Sequence, residues 1–511
     1  MCSRSFCGSE RNDFWSAHRN ITCLIWPAAA SIMTLLVSII LCSRRDLWTD
    51  ELLTLQSLRL SFLNGLLQTF DYSAPLYQWI LRILVHDNLP SPWLLRAPAL
   101  FFSFMCPLTL WWFASRLFNN TTANISILFL VLNPTFLRYA GEARPYSLFV
   151  LLSIASMGAF YLLSTKVYNR CTYFIYILTT VLLIYSHYYA FLLVAAQITF
   201  AAFHHKLHNP SRHTKTLYSA LASVIIFSLP AVYLISRYIN TGLSSVRGWI
   251  PWANPKDIFW PWQAGKLVFG DQILSSVCVL SLFLILHRYF RYFPSDANCR
   301  SIKVKQIFLQ IWAENANSIL CVIWIFFSFY VLLLISIFFM PLYHVRYVLP
   351  AMIPFSVLLS VTINHARKPV LALLLLFLAL IPLSHTLYDI RLDNRDFSNV
   401  INTLSKINRD HLPVYITTAG MDRDIKQNAT AVGLLLYKYN LSEIKFMSIP
   451  DPLKHQNANC SGISKNMRMF ILCFHGKEFI EGCLQTESRK YVLYKFGHLF
   501  LFDIQSSVNN G

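Results

Sequence analysis

Three short segments of this chain gather side chains able to move protons and hold anions. The first is Trp48-Thr49-Asp50-Glu51-Leu52. Two adjacent carboxylates can supply a general base, because a hydroxyl attacking an electrophilic carbon must lose its proton as the new bond forms. The plainer alternative is a helix start, with Asp50 capping a helix that begins at Glu51 and the second acid at the positive end of its dipole. The second segment, Arg138-Tyr139-Ala140-Gly141-Glu142-Ala143-Arg144-Pro145-Tyr146, is dense in charge. It reads either as part of a site or as an ion-paired turn, Glu142 with Arg138 or Arg144, followed by Pro145 near the first turn of the next helix. The third, Tyr343-His344-Val345-Arg346-Tyr347, mixes aromatic and basic groups. Such a mixture suits an interfacial anchor, and an arginine there is also what a lipid-linked phosphate requires.

The elements that must hold these segments are hydrophobic. Of 511 residues, 55% are hydrophobic and 13% charged, and the mean hydropathy is +0.47. Soluble domains carry about 25% charged residues, so the composition indicates a polytopic membrane protein and excludes a disordered chain, collagen or a small disulfide scaffold. The formal charge of +19 does not indicate a nucleic-acid partner, because the bases punctuate hydrophobic runs and form no soluble basic face.

Residues 1–21 are polar, carry Arg4, Arg11 and Arg19, and lead into the run Leu24 to Cys42, which reads as an uncleaved signal anchor with a cytoplasmic N-terminus. Later runs fall near 93–114, 122–137, 146–163, 173–186, 188–203, 217–238, 272–287, 318–339, 347–363 and 370–386, about eleven spans in all. The polar Ser186-His187-Tyr188-Tyr189 separates two of them. Ala74 to His86 is short and interrupted by Arg82, so it reads as an amphipathic surface helix. The parity of this count leaves the short basic loops on the cytoplasmic side: Arg116; Lys166 and Arg170; Lys206, Arg212 and Lys215; Arg288 to Lys305; Arg367 and Lys368. The opposite side then receives 43–92, 138–145, 239–271, the turn 340–346 and the tail 387–511. A transmembrane domain over 22–386 and a non-cytoplasmic soluble α/β domain over 387–511 follow. In that domain Asp396 to Asn408 and Asp424 to Tyr439 read as helices, and Val414 to Thr418, Met469 to Phe474 and Tyr491 to Tyr494 as strands. Cys460, Cys473 and Cys483 there allow one disulfide and one remaining thiol.

The chain resembles polytopic glycosyltransferases of the GT-C class that use polyprenyl-phosphate sugars, such as bacterial aminoarabinose and mannosyl transferases and protein O-mannosyltransferases. The matching pieces run in order: Trp48-x-Asp50-Glu51-x-x-Thr54, Ser73-Ala74-Pro75-Leu76-Tyr77, Leu95-Arg96-Ala97-Pro98, Glu142-Ala143-Arg144-Pro145-Tyr146, Ser186-His187-Tyr188 and Arg346-Tyr347-Val348-Leu349-Pro350. The resemblance implies a base at Asp50, with Glu51 beside it, and Glu142 as the second acid. It implies Arg144 and Arg346, joined by Arg138, as donor-phosphate ligands, and Tyr146, His187, Tyr188, Tyr77 and His344 as substrate-binding groups. The implied partners are a polyprenyl-phosphate-linked sugar donor, a lipid, glycan or protein acceptor, and membrane lipids. The surface helix lacks the His or Pro expected before its proline. No Asp-x-Asp appears in the early outer loops, so no cofactor is certain and a divalent metal stays open.

Other signals have plainer readings. Asp422-Arg423-Asp424 suits the start of a helix, His204, His205, His208 and His213 a solvated basic loop, and the tryptophans between Trp249 and Trp262 an interface belt. Asn428, Asn440 and Asn459 carry glycosylation triplets that chance often produces. A transporter or lipid flippase is the competing function, and it should carry ionisable residues deep within its spans. The motif style points to a bacterial inner membrane with a periplasmic site, with the endoplasmic reticulum membrane as the alternative.

Overall fold

The structure is a computed structural model that describes residues 9–58, 60, 73–85, 90–165, 169–207, 212–250, 252–253, 304–366, 396–408, 410, 412 and, further on, 414–417, 444–446, 468–473, 480–481, 484–485, 490–496 and 499–505. The helices are α1 Ser9–Ser43, α2 Thr49–Leu58, α3 Leu76–Leu84, α4 Pro92–Leu117, α5 Asn120–Val131, α6 Pro134–Ala140, α7 Tyr146–Thr165, α8 Arg170–Ser186, α9 Ala190–Leu207, α10 Arg212–Trp249, α11 Val304–Ile325, α12 Leu332–Phe338, α13 Met352–Ala366 and α14 Asp396–Ile407. A π-helical turn, Phe326–Val331, joins α11 to α12.

Among the described residues, five helical stretches are long and apolar enough to cross a membrane: Leu24–Ser43, Pro92–Leu117, Tyr146–Thr165, Lys215–Arg237 and Asn315–Phe338. Their outward faces are apolar, with Ile25, Ile32, Leu36, Phe101, Ile226 and Phe227 exposed, as lipid contact requires. The shorter helices Arg170–Ser186, Ala190–His204 and Leu349–Asn364 are apolar too. The runs expected at 272–287 and 370–386 lie outside the described residues, as do Asp424 to Tyr439, Asp422-Arg423-Asp424, the three glycosylation triplets, Cys460 and Cys483.

Three sequence expectations are corrected. The single span expected over 122–137 is two helices, α5 and α6, bent by 66°. Asn133 turns the chain by accepting a hydrogen bond from Phe136 N at 2.9 Å, and Pro134 opens the new helix. The outer loop expected from 239 is still α10 as far as Trp249. The run beginning at 347 opens with the 3-10 turns Val345–Tyr347 and Leu349–Ala351 before α13.

At the centre of the bundle α4 packs against α1, α5 and α7. Gly158 of α7 lets α4 approach closely: a Cβ there would lie 2.3 Å from the Trp112 ring. Gly158→Ala is therefore expected to cost about 1–3 kcal/mol through overpacking. A melt in detergent at or above the wild-type temperature would contradict this. Between α7, α8 and α9, Tyr176 donates to Gln197 at 2.9 Å and Gln197 donates to Ser156 at 2.9 Å. Ser156 also shares a 2.7 Å hydrogen bond with Thr180. Polar groups buried among apolar helices thus find partners on neighbouring helices.

The tail contains a five-stranded sheet of order β2-β1-β3-β5-β4, with β1 Val414–Thr417, β2 Ile444–Phe446, β3 Met469–Cys473, β4 Tyr491–Phe496 and β5 Leu499–Ile504. β1 runs parallel to β2 and β3, while β5 runs antiparallel to β3 and β4. Alternation assigns Phe470, Leu472, Leu499 and Leu501 to the face that clusters with Phe397, Val400 and Leu404 of α14. Met469, Ile471, Phe502 and Ile504 pack on the other face with Ile480 and Leu484.

Candidate active site

The turn between α1 and α2 is held by a buried arginine. Arg96, one turn into α4, donates Nε to Glu51 Oε1 and a terminal nitrogen to Glu51 Oε2, both at 2.8 Å. Its terminal nitrogens also donate to the carbonyls of Cys42 at 3.0 Å, Arg45 at 3.1 Å and Asp46 at 3.0 Å. Glu51 further accepts from Trp48 N at 3.2 Å, as the acid of a capping box does, and from Ala143 N at 2.8 Å. Burial alone would raise the Glu51 pKa, but Arg96 outweighs it and holds the carboxyl below its ordinary value.

Glu51, grouped with Asp50 as a catalytic acid from the sequence, is thereby corrected. Its side chain is fully buried and its lone pairs are engaged, so it is a clamp between the first two charged segments. The expected cap is corrected as well. The helix begins at Thr49, one turn of it is opened by Leu52 N donating to Trp48 O, and the acid that reaches back is Glu51, which leaves the Asp50 carboxylate for other work.

That carboxylate meets the third segment. Arg346 donates to Asp50 Oδ2, and the guanidinium carbon lies 5.5 Å from the Trp48 ring centre, 5.8 Å from that of Tyr146 and 5.3 Å from that of Tyr347. Three aromatic faces hold the cation by its positive charge and limit its contact with water. Asp50 is 19% exposed, against 0% for Glu51 and 4% for Glu142. Of the three acids it is the one a substrate can reach.

Glu142 faces Arg45 at 3.5 Å, not Arg138 or Arg144 as expected. Arg45 also donates to the Arg138 carbonyl at 3.1 Å. The turn bearing Glu142 is pinned to α1, since Cys42 donates its Sγ hydrogen to Gly141 O at 3.3 Å and a Cβ at Gly141 would lie 2.4 Å from that sulfur. Glu142 Oε2 is buried with no hydrogen-bond partner among the described residues. Burial pushes the Glu142 pKa up to about 7 against the opposing pull of Arg45.

A carboxyl held above its ordinary value binds its proton more tightly when folded. Glu142 therefore lowers stability as pH rises from about 4.5 through about 7, by on the order of 3 kcal/mol in full. Glu142→Gln, which keeps the neutral shape, should gain on the wild type in melting temperature between pH 5 and pH 8. Parallel melting curves across that range would refute the assignment.

The remaining expected site residues divide. Arg144 is buried, and one of its terminal nitrogens donates to Asp50 O at 3.3 Å and Thr54 Oγ1 at 3.2 Å, so it braces α2 from behind the carboxylate. Arg138 is exposed at the rim, 5.9 Å from the Tyr139 ring. Tyr146 lies between Arg144 and Arg346. His187 stacks on Phe149 at 4.5 Å and adjoins Tyr189 and Tyr347, with Tyr188 in the same turn. His344 accepts a hydrogen bond from Arg346 N at 3.4 Å, and burial with the nearby Arg346 charge lowers its pKa to about 4. Tyr77 is a correction: it is fully buried and its hydroxyl donates to Leu95 O at 3.1 Å, so it joins α3 to α4 instead of facing a substrate. Among the described residues no three His, Cys, Asp or Glu side chains gather in a metal-binding group.

Sequence reasoning assigned no role to Arg45, Arg96 or Trp48. The signal for Arg96 was present, because an arginine inside the apolar run 93–114 demands a partner.

These segments converge on a bundle of apolar helices, a fold shared with solved membrane-protein structures. In particular, the chain is similar to the crystal structure of ArnT from Cupriavidus metallidurans bound to undecaprenyl phosphate. The TM-score is 0.55 at 11% identity, covering 97% of this chain and 99% of that one. It is also similar to the oligosaccharyltransferase AglB from Archaeoglobus fulgidus, in complex with an inhibitory peptide and a dolichol-phosphate, at TM-score 0.50 and 10% identity, covering 95% of this chain and 75% of that one. No protein-family model matches the sequence, and no curated protein matches it.

Proposed function

We propose that this chain is an integral-membrane glycosyltransferase that moves a sugar from a polyprenyl-phosphate donor to a hydroxyl acceptor on the non-cytoplasmic face, with inversion at the anomeric carbon. The reading is carried by one observation: Asp50, the most accessible of the three acids, is paired with Arg346, a caged cation from a distant segment. The acceptor oxygen attacks the anomeric carbon and passes its proton to the Asp50 carboxylate. The bond from that carbon to the phosphate oxygen breaks, and its electron pair leaves with the phosphate. Arg346 stabilises the growing negative charge when the phosphate takes the place of the Asp50 carboxylate beside it. Arg138 at the rim approaches the same headgroup. Arg144 serves indirectly by holding the backbone of Asp50, and Glu142 with Arg45 shapes the far wall.

The similar structures support this reading, since one holds undecaprenyl phosphate and the other a dolichol-phosphate. The proposal includes about eleven spans, an outer domain formed by 387–511, and a bacterial inner membrane with a periplasmic site. Full-length protein in detergent, offered a panel of radiolabelled polyprenyl-phosphate sugars with membrane lipid extract, should transfer label to an acceptor. Reporter fusions after Arg291 and after Asp396 should report opposite compartments. Absence of transfer across the panel together with fusions on the same side would overturn the reading.

A further inference from the structure

We infer that Asp46 is a positioning residue for the proposed base, through which helix α14 at the start of the tail sets the place of Asp50. Both carboxylate oxygens of Asp46 bind Ser398, with Oδ2 accepting from Ser398 N at 2.8 Å and Oδ1 from Ser398 Oγ at 3.0 Å. Ser398 lies in the first turn of α14, Asp396–Ile407, where backbone N–H groups lack helical acceptors and the dipole favours an anion. A side chain 352 positions earlier in the chain therefore caps this helix. The same residue's carbonyl accepts from Arg96 at 3.0 Å.

The turn leading to Asp50 is thus gripped from two sides, by Arg96 from within the bundle and by α14 from the tail. Asp46 lies just before the helix that carries Asp50, with buried Leu47 between, so a shift at one is carried to the other. Misplacement of a reacting group by about 1 Å can cost about 10²-fold in rate. Both Asp46 carboxylate oxygens are engaged by Ser398, so the loss should fall on turnover and not on donor binding.

This inference rests on the proposed transferase reading. It is tested on the full chain in detergent, using the labelled polyprenyl-phosphate sugar that the wild type turns over. Asp46→Ala should lower kcat by about 10- to 100-fold with the donor KM within about twofold and an unchanged elution profile. Asp46→Asn, which keeps one acceptor oxygen, should recover most of the loss. Asp46→Ala combined with Ser398→Ala should be no slower than Asp46→Ala alone, since both remove one contact. Wild-type kcat in Asp46→Ala, or multiplying losses in the double variant, would overturn the inference while an inactive Asp50→Asn leaves the site reading standing. An active Asp50→Asn would overturn both.

Discussion

Asp50→Asn leaves the protein folded and lowers turnover by about 10²–10⁴-fold, the range a positioned general base contributes. The change keeps shape and removes the negative charge that accepts the acceptor's proton. It also removes the charge that Arg346 faces, so the cation is freed for the donor phosphate, and the donor KM is expected to hold steady or fall. The measurement is steady-state transfer by the purified variant beside the wild type. A variant that retains wild-type kcat would show that another group takes the proton. Neither Glu51, whose oxygens accept four hydrogen bonds, nor Glu142, buried behind Arg45, is placed to substitute.

The second large effect belongs to Arg96. Removing one partner of a buried pair leaves the other charge unpaired and costs about 3–5 kcal/mol. Arg96→Met abandons the Glu51 carboxylate and three carbonyls at once. Glu51→Gln abandons the guanidinium. Both should lower the melting temperature strongly, and both should lose transfer activity because the turn bearing Asp50 is no longer held. The double variant Arg96→Met with Glu51→Leu should regain part of the stability, since no charge is left buried, yet little of the activity. Thermal unfolding and kcat on the same four proteins decide the matter. Wild-type stability in Glu51→Gln would remove the clamp from the account.

Much of the fold could be read from residue order because a bilayer imposes simple rules. Runs such as 146–163 and 217–238 have few alternatives to spanning helices, and α7 and α10 contain them. The helix expected at Asp396 to Asn408 and the strands at Val414, Met469 and Tyr491 likewise appear within a residue or two at their starts, since local periodicity decides them. The sequence missed β5, Leu499–Ile504, because Leu499-Phe500-Leu501-Phe502 is apolar throughout and has no alternation to follow. The break at Asn133-Pro134 carried a visible signal, a cap followed by proline, which the apolar run outweighed.

Local chemistry in the chain named the charged segments around Asp50, Glu142 and Arg346, because acids and arginines at the hydrocarbon edge are too costly to place without a use. Partnership was not legible there. Asp50 and Glu51 are neighbours with the same functional group, and their fates diverge only when α4 inserts Arg96 beneath one of them and the turn before Tyr347 lays Arg346 beside the other. Glu142 could pair with either arginine of its own segment, but the bend between α5 and α6 delivers it to Arg45, just beyond the end of α1. Charge, periodicity and hydropathy are properties of short stretches and survive in the linear order. Burial and pairing depend on distances between residues tens to hundreds of positions apart, which exist only once the helices have packed.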